Sequence, residues 1–365
     1  MDFINLKAQY LAYREEIESE IRDVISTQRF ILGEKGKLLE KQLAAFTGTA
    51  FAVGVASGTD ALILALLSLD TGPGDEIITT PFTFIATAEA ISLTGATPVL
   101  VDIDRETFNI DPRLIEEKIT RYTKGIIAVD LFGQPADYGS LMGVAKEYGL
   151  FVIEDGAQSL GALRDGRRAP SFADVGVTSF FPAKPLGAFG EGGMVFTDSE
   201  KVARKVESLR NHGQTGRYVH RYVGKNSRLD EIQAAVLLAK FRHFEEEIAL
   251  RQEKARHYTD LLSRHVTIQK LEEGVVSTYA QYSLIVEDRD KLARHLSERN
   301  IPTAVHYPTP LHLQESFTYL GHEGGDFPVS EYISEHIISL PFSAFITRKE
   351  QDSVIEAVTA FLGTG

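Results

Sequence analysis

The sequence predicts an α/β fold, a mostly parallel sheet between helices, followed by a smaller α+β lobe. Three observations predict it. Between about residues 50 and 200, short runs rich in β-formers alternate with segments of helical period, the pattern that builds a parallel sheet. Several of these runs are continuously apolar, as strands buried on both faces are. The chain has 365 residues, whereas single cores stop growing at roughly 250–300 residues, so two lobes are expected.

Taken in order, AFAVGVA (50–56) is the first strand and leads into the helix SGTDALILALLSL. DEIITT (75–80) is the second and precedes the helical FIATAEAISLTG. TPVLVDI (97–103), GIIAVDLFG (125–133), LFVIED (150–155), VGVTSFF (175–181) and GMVFT (193–197) supply the remaining strands of the sheet. Residues 227–265 open on a serine backed by acidic residues and sustain helical spacing, which predicts one long helix leaving the large lobe. AQYSLIVE (280–287), DKLARHLSERN (290–300), TAVHY (303–307) and a final helix over 348–362 make the small lobe. The division falls at residue 245, with 1–245 as the large lobe and 246–365 as the small one.

The formal charge of −13 repels nucleic-acid backbones and anionic membranes, so any phosphorylated ligand must meet a local pocket of donors. The absence of cysteine removes disulfides, thiol nucleophiles and cysteine zinc sites. No apolar leader opens the chain, and the apolar runs are too short to span a bilayer, which makes the cytoplasm the expected location. The histidines lack metal-binding spacing, and no metal is expected.

Open α/β sheets bind ligands beyond the carboxyl ends of their strands, which directs attention to three loops. In the first, Ser57, Gly58 and Thr59 join a strand to a helix, where free N–H groups form an anion site or simply a capped helix start. It lacks a Walker lysine, and no G-x-G-x-x-G follows any strand. In the second, Asp155 ends an apolar strand, and a carboxylate partly buried there needs a partner. That partner is a helix start, a cationic side chain or a protonated ring nitrogen, and Gln158 lies close by in the chain. The third, SFFPAKPLGAFGEGG (179–193), sets Lys184 among apolar residues and glycines. Such a lysine either snorkels to water or, desolvated, becomes a usable amine nucleophile. An anion-binding helix start, a strand-end carboxylate and a desolvated amine are together the parts that hold pyridoxal phosphate (PLP). Phe84 is placed to cover the ring or to join the core.

These residues resemble the DegT/DnrJ/StrS sugar aminotransferases, which are fold-type-I (aspartate-aminotransferase-like) PLP enzymes. The likeness runs through INLKAQY, ILGEKGKLLEKQLAAFTGT, SGTDAL, PGDEIITTPFTFIATAEA, IEDGAQSLGA, SFFPAKPLG, NSRLDEIQAA and TAVHYPTPLH. It departs at Gly156, where the family's EDAAQ has alanine. The resemblance implies that Lys184 is the Schiff-base lysine, Asp155 the partner of the pyridine nitrogen and Gln158 the contact to the ring hydroxyl. It further implies that Gly58, Thr59 and Ser179 hold the phosphate, with Phe84 and Ala157 also at the cofactor. Asn226 is implied to reach the neighbouring subunit's cofactor in a homodimer with shared sites.

The implied reaction is transfer of an amino group from L-glutamate to a nucleotide-linked keto-sugar. Residues 211–230 and 305–312 resemble the branch acting on UDP-2-acetamido-2-deoxy-3-oxo-glucuronate, a precursor in bacterial surface polysaccharides such as O-antigen and lipopolysaccharide. Arg228 would then pair with a carboxylate, or else with Asp230, and His306 and Tyr307 would line the sugar side. A dTDP-3-keto-6-deoxyhexose aminotransferase and a non-catalytic binding or regulatory protein are the alternatives.

Overall fold

The computed structural model describes residues 1–363. Seven strands form the central sheet: β1 (Phe51–Val55), β2 (Glu76–Thr79), β3 (Thr97–Leu100), β4 (Thr123–Val129), β5 (Phe151–Asp155), β6 (Val175–Ser179) and β7 (Gly193–Thr197). Each overlaps a segment expected to be extended, β4 beginning two residues before its segment and ending four residues short of it. The spatial order is β1-β7-β6-β5-β4-β2-β3. The run from β6 to β3 is parallel, whereas β7 runs antiparallel to both β1 and β6.

The helices are α1 (Leu6–Thr27), α2 (Glu34–Thr47), α3 (Gly58–Ser68), α4 (Ala86–Leu93), α5 (Tyr138–Tyr148), α6 (Glu200–Leu209), α7 (Glu231–Phe241), α8 (Phe244–Leu262), α9 (Arg289–Ser297), α10 (Pro328–His336) and α11 (Arg348–Leu362). Successive strand residues face opposite ways, so each strand serves two cores. Val53, Ile77, Ile127 and Ile153 pack with α3, α4 and α6. On the other face, Ala52, Met194 and Phe196 pack with α2, α7 and α8, while Ile78, Ile126 and Val152 pack with α5. This double burial explains why the strands read as unbroken apolar runs. Asn5, Ser57 and Asp137 side chains cap α1, α3 and α5, and a reciprocal Thr347–Glu350 capping box starts α11.

Beyond α8, a small antiparallel sheet is built from Thr267–Ile268, β8 (Tyr282–Ile285) and β9 (Ile337–Leu340). Its residues Tyr282, Leu284 and Leu340 form one core with Tyr258 of α8, Leu292 of α9 and Val354 of α11.

Two expectations require correction. The helix expected over 227–265 is two helices. Ser227 does not cap it, because its hydroxyl accepts instead from Ala56 N–H, 3.3 Å away. The chain bends at His243, whose ring stacks on Tyr13 at 4.2 Å and bonds Glu16 at 2.8 Å. TAVHY is not a strand: within it only Ala304 pairs, as an isolated bridge to Ser339. Prolines at 302 and 308 withhold backbone donors on either side. Among the described residues, no helix is long and apolar enough to cross a membrane.

Candidate active site

A cavity of about 470 Å³ opens at the carboxyl ends of β1, β2, β4, β5 and β6. Its wall brings together Gly58, Thr59, Phe84, Asp155, Ala157, Gln158, Ser179, Lys184, His306 and Tyr307 from segments far apart in the chain. Asn226 and Arg228 do not join this wall. Asn226 is exposed and forms a bridge to Asn211, and Arg228 Nη1 donates to Asn211 Oδ1 at 2.8 Å.

At one end of the cavity, Ser57 Oγ accepts from Asp60 N–H at 3.1 Å. This leaves the Gly58 and Thr59 N–H groups, at the start of α3, for another acceptor. Ser179, at the end of β6, lies two strands away in the sheet order. The intervening strand β7 begins at Gly193, where a Cβ would stand 2.3 Å from Ser57 O. A Cβ on Gly58 would likewise stand 2.7 Å from Ser179 Cβ. Two side-chain-free positions therefore let a hydroxyl and a helix start converge on one small space. A phosphate group fits this space through its oxygens, which accept from backbone N–H groups and a serine hydroxyl.

Asp155, at the end of β5, is buried, and burial pushes its carboxyl above the ordinary range. Three contacts oppose that rise: Thr87 Oγ1 donates to Oδ2 at 2.9 Å, Ala157 N–H donates to Oδ1 at 3.3 Å, and the Lys184 charge attracts it. Gln158 Oε1 accepts from Phe132 N–H at 2.6 Å, and its Nε2 donates to the Tyr307 hydroxyl at 3.2 Å. The turn between these residues is anchored from below, where Ser159 Oγ donates to the buried Asp130 at 2.6 Å.

Lys184 projects from the loop after β6, and burial lowers its pKa while the Asp155 charge raises it. An amine that sheds its proton more readily is a nucleophile and a base. His306 faces the same space with Nδ1 on Ser339 Oγ at 2.9 Å. Burial first, and the Lys184 charge second, bring its pKa down to about 4. The imidazole is therefore neutral at ordinary pH.

Sequence reasoning missed Thr87, which holds Asp155, and Phe3, Ile4 and Gln281, which also line the wall. The threonines of TPFTFIATAEA were a usable signal for Thr87, since a polar residue in the first turn of α4 faces the neighbouring strand end. Phe3 and Ile4 carry no such signal, as they reach the cavity only through long-range packing.

A model of the DegT/DnrJ/EryC1/StrS aminotransferase family matches residues 12–359. The chain belongs to this family. It is 43% identical over 361 residues to the UDP-2-acetamido-2-deoxy-3-oxo-D-glucuronate aminotransferase of Pseudomonas aeruginosa, covering 98% of this chain and 99% of that one. It is similar to DesV of S. venezuelae in complex with a ketimine intermediate, with 37% identity, a TM-score of 0.97 and coverage of 99% and 98%. NtdA of Bacillus subtilis with bound cofactor PMP is 30% identical, with a TM-score of 0.90, over 96% of this chain and 82% of that one. The fold is that of the fold-type-I aminotransferases, and the chain is a PLP-dependent aminotransferase.

Proposed function

We propose that the chain transfers the amino group of L-glutamate to C3 of UDP-2-acetamido-2-deoxy-3-oxo-glucuronate. The product is UDP-2-acetamido-3-amino-2,3-dideoxy-glucuronate, destined for bacterial surface polysaccharide. The observation that carries the chemistry is the placement of the Lys184 amine and the Asp155 carboxylate in one cavity with the Gly58–Thr59–Ser179 anion cradle. The similarity to the Pseudomonas aeruginosa protein supports the choice of sugar.

In this reading, the N–H groups of Gly58 and Thr59 and the Ser179 hydroxyl hold the cofactor phosphate. Asp155, kept toward its ionised form by Thr87 and Ala157, would hold the pyridine nitrogen and favour its protonated state. Gln158 would hold the ring hydroxyl, with Ala157 and Phe84, which line the same cavity, holding the ring itself. When bound, PLP supplies the electron sink that lets an amino group leave one carbon and join another. Lys184 Nζ takes a proton from the α-carbon of glutamate and, in the second half-reaction, delivers one to C3 of the sugar. His306 and Tyr307 line the sugar side, with His306 neutral and able to accept or donate at a hydroxyl.

Asn226 and Arg228 lie away from the wall in their own protomer, which supports their serving the neighbouring site of a homodimer. There the Arg228 guanidinium, whose Nε has no partner among the described residues, would take the uronate carboxylate. The test is amino transfer from glutamate to UDP-linked 3-oxo-uronate and dTDP-linked 3-keto-6-deoxyhexose, for wild type and Arg228→Ala. A preference for the uronate that Arg228→Ala abolishes is expected. Equal or better use of the deoxyhexose by wild type would replace the proposed sugar.

A further inference from the structure

The loop that carries Lys184 is gripped from behind by a helix that contributes nothing to the cavity wall. Residues 180–188 fold back on themselves, with Lys184 N–H donating to Phe181 O at 2.9 Å and Ala188 N–H to Phe180 O at 2.8 Å. Gly187 closes the fold, because a Cβ there would stand 2.3 Å from Pro182 O. These internal bonds fix the loop's shape.

Its outer limb is tied down by α7. Gln233 Oε1 accepts from Phe189 N–H at 2.9 Å, and Lys240 Nζ donates to Gly187 O at 2.7 Å. Gln233 and Lys240 are seven residues apart, two helical turns, and so share one face of α7. The Lys240 ammonium also lies 4.7 Å from the Phe189 ring centroid. Lys240 is only 2% exposed. Burying an ammonium there is costly, and an apolar side chain of similar length would fill the space more cheaply. Its counter-charge is the buried Glu247 of α8, which accepts from Gln9 Nε2 at 3.0 and 2.9 Å. The grip therefore continues into α1.

We propose that Gln233 and Lys240 are positioning residues, a two-point clamp from α7 on backbone 187–189 that sets where the Lys184 amine stands in the cavity. The inference rests on the reading of Lys184 given above. A lysine that moves protons in two half-reactions must return its amine to the same place each time, and a displacement of about 1 Å costs on the order of 100-fold in rate.

The test uses full-length protein loaded with PLP. Borohydride reduction of wild type, followed by peptide mapping, is read first. Attachment at Lys184 is expected, and attachment elsewhere overturns the reading of Lys184 and the clamp with it. In Lys240→Met and Gln233→Leu, kcat is expected to fall about tenfold or more, with KM for glutamate within twofold. The pH at which the bound cofactor changes colour is expected to shift. Gln233→Glu keeps an acceptor for Phe189 N–H and is expected to recover most of the rate. Should Lys240→Met fail to fold, Gln233→Leu and Gln233→Glu decide the matter. With attachment at Lys184 established, a kcat within twofold of wild type and an unmoved colour change in Gln233→Leu would overturn the clamp alone.

Discussion

The Thr87 hydroxyl donates to Asp155 Oδ2 across 2.9 Å, joining the first turn of α4 to the end of β5. The bond favours the ionised carboxylate, and hydrogen bonds to charged groups contribute about 1.5–3 kcal/mol. Thr87→Val, which removes the hydroxyl with little change of shape, is expected to weaken PLP binding about 10- to 100-fold. Cofactor titration followed by absorbance measures it, and an unchanged affinity would remove Thr87 from the site.

Gly58→Ala puts a methyl group 2.7 Å from Ser179 Cβ, so one of the two loops must give way. Overpacking of this kind costs about 1–3 kcal/mol. The cost is expected mainly in cofactor affinity, because the cradle is displaced before the sheet is. Adding Ser179→Gly should relieve the clash without restoring full affinity, since the hydroxyl is lost with it. Thermal melts of the apo and PLP-loaded forms separate the two effects.

Helix α2 has no capping side chain of its own, and Gly33, Lys35 and Gly36 N–H groups donate instead to Glu231 of α7 at 2.9, 2.9 and 3.0 Å. A buried carboxylate at a helix start gains from both the hydrogen bonds and the helix dipole. Glu231→Ala is expected to destabilise the fold by about 2–4 kcal/mol, with Glu231→Gln intermediate. Urea denaturation of the three proteins provides the comparison.

Burial pushes the Lys240 amine down to about 8, with the Glu247 charge opposing the change. In the unfolded chain a lysine titrates near ~10.4. Between these values the unfolded chain holds a proton that the folded chain has released, so this group's contribution to stability rises with pH. Below pH 8 the penalty for burying the charge is present in full, on the order of 3 kcal/mol. Wild type is therefore expected to gain stability relative to Lys240→Met as pH is raised from about 8 to about 10. A constant difference across that range would contradict the assignment.

Much of this was legible in the sequence, for reasons that differ by element. The seven central strands are buried on both faces, and that environment writes itself locally as unbroken apolar runs. Their order is not written locally, and nothing in GMVFT announces that β7 enters antiparallel between β1 and β6. Asp155 stood out as a carboxylate ending a buried strand, and Lys184 as a lone ammonium among apolar residues and glycines in the loop beyond one. Thr87, Gln233 and Lys240 did not, since a threonine at a helix start and polar residues along a helix are ordinary there. Their meaning lies in partners 68, 44 and 53 positions distant. The break at His243 was hidden for the same reason, being imposed by Tyr13 and Glu16 rather than by a local glycine or proline.

Because β7 sits between β1 and β6, the helix start at 57–59 and the serine at 179 stand side by side across a strand, 193–197, that follows both in the chain. A nascent chain that has emerged only as far as Phe181 thus contains every phosphate-binding group named for its own subunit but lacks the strand through which β1 joins the sheet. Capture of the vitamin-derived cofactor should accordingly mark completion of the sheet, and its appearance during refolding would time the arrival of that last strand.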